Sequence, residues 1–305
     1  MTGAWRFRRL SWLLVIGLPH QAVTGRGARL ADALALGLGC AGVAAQICYP
    51  LAAGTARDLV TVAVVLLLAG ACVSHAAATR GTWWAVGLVL VTTGGGLLAE
   101  SVGTTTGFPF GSYTYTINGA LGPEVGSVPL LIGAAWTWGA YPAWCAAQTV
   151  AGTRPGAVTV LAAAWSLASW DLYLDPQMVA DGRWVWTDPG PALPGVPAVP
   201  LSNYAGWLLM ALLLCGALYR LDQALGAPRP AHEGLPLALF CWTWLGSAVA
   251  HAVFLGLPAS AGYGLVGMGL IGVPLLHTLL RQHSGVAGRH HLEAPILPAG
   301  SEPCR

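Results

Sequence analysis

The sequence has no lysine and few charged residues of any kind. All fourteen basic residues among its 305 are arginines, and charged residues make up 9% of the chain against 55% hydrophobic residues. Soluble domains carry about 25% charged residues, so this composition excludes an ordinary soluble domain. The mean hydropathy is +0.64. Repeated apolar runs of about 20 residues, long enough to cross a hydrocarbon core of about 30 Å, indicate an integral membrane protein.

Motifs for bound phosphate, metal ions and disulfides are also missing. The chain has no G-x-x-x-x-G-K, no G-x-G-x-x-G and no D-D-x-x-D or N-D-x-x-D magnesium–diphosphate motif. Its seven cysteines form no C-x-x-C pair and mostly fall in apolar runs, so we interpret them as small core residues. The histidines show no spacing typical of metal ligands. We therefore expect no metal, no organic cofactor and no nucleic-acid partner.

Helix-length apolar runs without alternation favour an all-α, polytopic transmembrane helical bundle over a barrel. Residues 1–33 form a basic segment, which we expect to be interfacial or disordered; a signal peptide is the alternative. Residues 34–281 are expected to form a single transmembrane domain, followed by a disordered cytoplasmic tail at 282–305. Eight spans are predicted, at residues 34–53, 59–77, 83–101, 128–149, 157–175, 205–224, 235–255 and 262–280.

The arginines predict the orientation of this bundle in a cell membrane. If the N-terminus is cytoplasmic, twelve arginines lie inside and only Arg57 and Arg183 lie outside, which follows the positive-inside rule and places both termini in the cytoplasm. Two long connections, 102–127 and 176–204, then lie on the outer side. Both are rich in aromatic residues. The second also contains five closely spaced prolines, which indicate a stiff lid.

Half of the twelve acidic residues collect on the predicted outer side, namely Glu100, Glu124, Asp171, Asp175, Asp181 and Asp188. A charged carboxylate deep in a bilayer costs roughly 2.5–3.5 kcal/mol on insertion scales, and protonation avoids this cost. A general acid must hold a proton, and a carboxyl group protonated in this way does so. Glu100, near the end of its span, is therefore a candidate general acid. The alternative is that Glu100 is a helix-end acid that reaches water.

Asp171 and Asp175 are four residues apart on one predicted helix and therefore share a face. Two close carboxyl groups repel each other, so one tends to keep its proton while the other ionises. This behaviour suits an acid and a base that act in sequence. For Asp175 the alternative is an ordinary Asp-Pro helix end, since Pro176 follows it.

Four sequence motifs resemble the membrane carotenoid-biosynthesis hydratase family, which includes γ-carotene 1′-hydratase-like and bisanhydrobacterioruberin hydratase-like enzymes. The resemblance extends over about residues 83–280, with the motifs in the same order. They read E-S-V-G-T-T-T-G-F-P-F-G-S-Y-T-Y at 100–115, V-P-L-L-I-G-A-A-W at 128–136, W-D-L-Y-L-D-P at 170–176, and V-P-L-S-N-Y-A-G-W at 199–207. The resemblance implies addition of water across the terminal 1,2 double bond of an acyclic carotenoid. The expected partners are that carotenoid, water, membrane lipid and other carotenoid-pathway enzymes.

Protonation of such an alkene gives a tertiary carbocation, which carboxylates and aromatic faces stabilise. We expect Glu100, Asp171 and Asp175 to be catalytic. Nine residues are expected to bind the substrate: Phe108, Phe110, Tyr113, Tyr115, Trp136, Trp170, Tyr173, Asn203 and Trp207. The alternatives are a carotenoid cyclase, a magnesium-dependent prenyltransferase, and a non-catalytic lipid transporter or scaffold.

Overall fold

The computed structural model describes residues 26–116, 120–154, 156–188, 190–226 and 233–292. Eight long helices form the described part: α1 Arg26–Cys48, α2 Thr55–Arg80, α3 Thr82–Thr106, α4 Leu130–Ala151, α5 Gly156–Ala180, α6 Leu201–Leu225, α7 Gly234–Phe254 and α8 Pro258–Leu292. Single π-helical turns lie within α3, at Leu90–Gly94, and at the end of α7, at Ala250–Phe254. A short 3₁₀ turn, Tyr49–Leu51, follows α1.

Seven helices of the described part are long and apolar enough to cross a membrane, so the predicted all-α polytopic bundle is confirmed. Eight spans were expected, and α4 is the predicted span that is not among the seven. Its three tryptophans, one tyrosine and one proline lower its hydropathy. This helix contacts α2, α3, α5, α6, α7 and α8, and most of its side chains are buried. Other helices, rather than lipid, therefore surround α4.

The ends of the bundle differ from the predicted boundaries. The first helix begins at Arg26, eight residues before the predicted first span. The last helix continues to Leu292, so the segment from 282, which was expected to be disordered, is helical over its first part. The predictions for residues 1–25 and 293–305 lie outside the described residues.

Helix α5 does not end at its Asp-Pro dipeptide. The helix continues through Pro176 to Ala180. A proline within a helix leaves the carbonyl four residues earlier without its N–H donor. Here the Ser260 hydroxyl of α8 donates to that carbonyl, Leu172 O, at 2.6 Å. The interpretation of Asp175 as a helix-ending residue is therefore wrong, and Asp175 lies buried inside the helix.

Short strands join the two long connections at one end of the bundle, which we call the connection face. The strands are β1 Tyr113–Tyr115, β2 Glu124–Val125, β3 Val128–Pro129, β4 Trp184–Trp186, β5 Ala192–Leu193 and β6 Val196–Pro200. They form the antiparallel pairs β1–β4, β2–β3 and β5–β6. In β1–β4, Tyr113 lies opposite Trp186 and Tyr115 lies opposite Trp184. This pairing holds both connections together over the ends of α3 and α5.

Ion pairs distinguish the two ends of the bundle. Arg57 contacts Asp181 at 2.6 Å and Arg183 pairs with Asp58, so the first turn of α2 is tied to the second connection. The two arginines predicted to lie apart from the other twelve therefore share the connection face. At the opposite end, buried Arg80 pairs with Glu233. The assignment of the connection face to the outside of the cell stays a prediction.

Candidate active site

Glu100 lies two turns before the end of α3 and is only 6% exposed. Three donors converge on its carboxyl group. The Tyr113 and Tyr115 hydroxyls both donate to Oε2, the latter at 2.9 Å, and the Trp136 indole N–H donates to Oε1 at 3.1 Å. Burial and the nearby Glu100 charge raise the pKa of both tyrosines well above the ordinary value, so both phenols stay protonated and donate. The interpretation of Glu100 as a helix-end acid in water is therefore wrong.

Two glycines of α3 allow these donors to approach so closely. A Cβ atom on Gly96 would lie 2.5 Å from Cδ1 and Cγ of Trp136. A Cβ atom on Gly103 would lie 2.9 Å from Phe110 Cδ2 and 3.0 Å from the Tyr113 hydroxyl. Only glycine fits at either position without displacing an aromatic side chain. The π-helical turn just before this segment is a feature that often occurs at functional sites.

Asp171 and Asp175 form the second acidic group, on α5. The Asn203 amide of α6 donates to Oδ2 of both carboxyls, at 2.8 Å for Asp171, and the Trp184 indole N–H donates to Asp175 Oδ1 at 3.0 Å. Asp171 is completely buried, and its Oδ1 has no hydrogen-bond partner among the described residues. A neutral carboxyl group tolerates such a position better than an anion does. The pair therefore suits a state in which the two carboxyls share one proton.

A cavity of about 810 Å³ separates the two acidic groups. Glu100 lines it from α3, and Asp175 and Asn203 line it from α5 and α6, whereas Asp171 does not line it. Eight of the nine residues predicted to bind substrate line this cavity: Phe110, Tyr113, Tyr115, Trp136, Trp170, Tyr173, Asn203 and Trp207. Within the described ranges, no group of three or more His, Cys, Asp or Glu side chains is arranged to hold a metal ion.

Phe108 does not belong to this cavity. Its side chain is 63% exposed, whereas that of Phe110 is almost completely buried. A tight turn in which the Gly111 N–H donates to Gly107 O at 2.7 Å reverses the chain here. The two phenylalanines consequently point in different directions. Phe108 therefore does not line this cavity, and its role in substrate binding stays a prediction.

Tryptophans form the aromatic part of the cavity wall. Trp136 and Trp207 are stacked, with ring centroids 4.1 Å apart and planes 13° apart. Trp170 meets Trp207 edge-on at 6.1 Å, and Trp138 meets Trp170 edge-on at 5.0 Å. The faces of such rings attract cations. The cavity thus offers apolar walls, aromatic faces and two separate carboxyl groups.

Sequence reasoning missed several residues that support this site. Trp184 binds Asp175, and Trp186 donates to Phe110 O at 2.9 Å. The alternation W-x-W at 184–186 and Y-x-Y at 113–115 has the period of a strand, and this pattern could have indicated their pairing. His251, which is completely buried, contacts Ser260 Oγ at 2.9 Å and Gln177 Oε1 at 3.1 Å, next to the Pro176 distortion of α5.

The described fold and cavity define a polytopic helical membrane protein with carboxyl groups buried in an aromatic pocket. The chain belongs to the carotenoid biosynthesis protein family, whose model matches residues 61–272. It is similar to bisanhydrobacterioruberin hydratase of Haloarcula japonica, with 35% identity over 113 residues. The aligned stretch covers 36% of this chain and 36% of that relative. The search of solved structures gave no match. Membership confirms the resemblance drawn from the sequence motifs.

Proposed function

We propose that this protein is a carotenoid hydratase that adds water across the terminal 1,2 double bond of an acyclic carotenoid end group. The product is a tertiary alcohol. One observation carries the proposal: two acidic groups with different hydrogen-bond surroundings face one aromatic cavity. Glu100 receives three donors, which suits an anion, whereas Asp171 and Asp175 suit a shared proton. Family membership and the partial similarity to a named hydratase support the same conclusion.

The first step is protonation of the alkene. Asp175 lines the cavity, so it delivers the proton that it shares with Asp171 to C2 of the terminal double bond. The π electrons of the double bond form the new C–H bond, and the positive charge is left on the tertiary carbon C1. The faces of Trp136, Trp170 and Trp207 and the Glu100 carboxylate stabilise this charge.

The second step is capture of the cation by water. A water oxygen forms a bond to C1, and the proton released from that water goes to the Glu100 carboxylate, which acts as the base. The sum of the two steps adds one water to the substrate. It also moves one proton from the aspartate pair to Glu100, and exchange with solvent returns this proton before the next turnover. Both steps use only side chains of this protein and water.

Conservative substitutions test these roles in a host that makes lycopene. Glu100→Gln and Asp175→Asn keep the side-chain shapes but remove the base and the acid. Loss of a general acid or base typically slows a reaction by about 10²–10⁴-fold. We expect each variant to abolish most of the hydrated pigment, detected as a gain of one water in the mass spectrum. The matched control is Glu124→Gln, because Glu124 is an exposed acid of the first connection.

Other outcomes identify the alternative functions. Hydrated pigment at the level of the unsubstituted protein in both variants contradicts the assigned roles. A new product with unchanged mass identifies a cyclase, which shares the cationic intermediate. Activity that disappears with a chelator identifies a magnesium-dependent prenyltransferase. An unchanged pigment profile on expression of the unsubstituted protein identifies a transporter or scaffold.

The arginine distribution supports a location in the cell membrane with both termini in the cytoplasm and the connection face outside. In this orientation the acidic groups lie near the outer membrane–water boundary. The end of a polyene that lies across the bilayer reaches this depth, and water is available there.

A further inference from the structure

The cavity extends well beyond the acidic groups. Its wall follows α7 from Ala238 to Phe254, which is about 24 Å at 1.5 Å per residue. The facing wall is formed by the end of α1 and by Thr61, Val64 and Val65 of α2. This part of the cavity is lined almost entirely by apolar side chains and contains no carboxyl group. The reaction groups occupy only one part of a long, narrow space.

The same cavity opens sideways, between α7 and the end of α1 with the 3₁₀ turn that follows it. Five of its lining side chains are also between 44% and 75% exposed, namely Ile47, Leu51, Leu245, Val249 and Phe254. Leu245 and Val249 lie well inside the membrane-spanning helix α7, so their exposed surface faces lipid. We call this set the lateral opening. Its position means that an apolar molecule can pass from the bilayer into the cavity without crossing water.

A polar contact closes the space between α1 and α7 at one limit of the lateral opening. The Trp242 indole N–H donates to Gln46 Oε1 at 2.9 Å, and both residues line the cavity. Farther from the connection face, Gly39 packs closely against Leu235, since a Cβ atom on this glycine would lie 2.9 Å from Leu235 Cδ1. The two helices are therefore in contact up to this hydrogen bond. Helix α1 ends at Cys48, two residues after Gln46, whereas α7 continues to Phe254 along the part of the cavity that contains Glu100 and Asp175.

We propose that the lateral opening is the binding site for the polyene chain, a long, acyclic isoprenoid hydrocarbon that lies between α7 and the end of α1 with its own end group at Glu100. This inference rests on the proposed function, since it names how the substrate of that same site is held. A rod-like apolar chain matches the length and the apolar lining of the space along α7. The remainder of the chain stays in the bilayer and needs no protein surface.

Tryptophan substitutions that fill the opening test this inference through binding rather than turnover. Val249→Trp and Leu245→Trp place a large ring in the lateral opening, and their matched controls are Val266→Trp and Leu270→Trp on α8. All four positions are exposed, but the controls do not line the cavity. Each protein is purified in detergent from lycopene-producing cells. The total bound carotenoid, lycopene together with its hydrated products, is measured relative to protein by the absorbance of the polyene, to which the terminal 1,2 double bond is not conjugated. We expect at least about fivefold less bound carotenoid with the two variants of the opening and no change with the controls.

The possible results separate this inference from the hydratase assignment. Bound carotenoid at the level of the unsubstituted protein in Val249→Trp and Leu245→Trp overturns the inference, as does an equal loss in the controls. An unsubstituted protein that carries no carotenoid also overturns it. If the unsubstituted protein binds carotenoid, the two variants of the opening lose it and no hydrated pigment is formed, the inference is supported and the hydratase assignment is contradicted. If both variants bind carotenoid and hydrate it at normal rates, the hydratase assignment is supported and the inference is contradicted.

Discussion

Tyr115→Phe tests whether Glu100 acts as a base, because this substitution removes one hydrogen bond and little else. The Tyr115 hydroxyl donates to Glu100 Oε2 at 2.9 Å. Its ring packs edge-on against Trp184 at 5.6 Å and Tyr113 at 5.7 Å, and phenylalanine keeps both contacts. A hydrogen bond to a charged group contributes about 1.5–3 kcal/mol. Its loss makes Glu100 hold a proton more tightly by that amount.

The sign of the pH effect follows from the role of Glu100. A base must be ionised to accept the proton of the attacking water, and protonated Glu100 is inactive in that role. Because one pH unit corresponds to 1.36 kcal/mol, the loss of activity on acidification should begin about one to two pH units higher in Tyr115→Phe. Activity at higher pH, where Glu100 is ionised in both proteins, should stay close to that of the unsubstituted protein.

The assay is the initial rate of hydrated product formation by detergent-solubilised protein over a series of pH values. Tyr263→Phe is the control, since its hydroxyl binds Pro194 O at 3.0 Å, away from the cavity. If Tyr115→Phe instead keeps its activity to higher pH than the unsubstituted protein, Glu100 is the proton donor and the proposed roles are reversed. An equal reduction at every pH means that the hydroxyl acts on the substrate or the fold and not on Glu100.

Two other predictions concern packing and orientation. Gly96→Ala should reduce hydration because the added Cβ displaces the Trp136 indole from Glu100. Gly94→Ala, whose Cβ meets nothing within 4 Å, should have little effect. Equal hydration rates in the two variants contradict this packing argument. In a cysteine-free background, a membrane-impermeant maleimide should label Asp188→Cys in intact cells and Gln282→Cys only after lysis. The opposite pattern places the connection face in the cytoplasm.

Much of the acidic site could be predicted from single residues. Glu100 and Asp171 stood out because a carboxyl group within an apolar run is costly and needs a specific reason. The partners of the acids were less predictable, because Trp184 and Asn203 reach them from distant parts of the chain. Of the aromatic residues predicted to bind substrate, only Phe108 lies outside the cavity, since its direction depends on a turn.

The class of protein, the helical architecture and the choice of candidate acids could all be predicted from the amino-acid sequence. These properties follow from composition, run length and the cost of charge in lipid, which are local quantities. The packing of the helices is needed to explain why α5 continues through Pro176, because a hydroxyl from α8 satisfies the carbonyl that proline leaves free. It is also needed to show that the two acidic groups face one cavity and that some side chains lining this cavity are exposed. Both depend on how distant helices pack together, which no short stretch of sequence specifies.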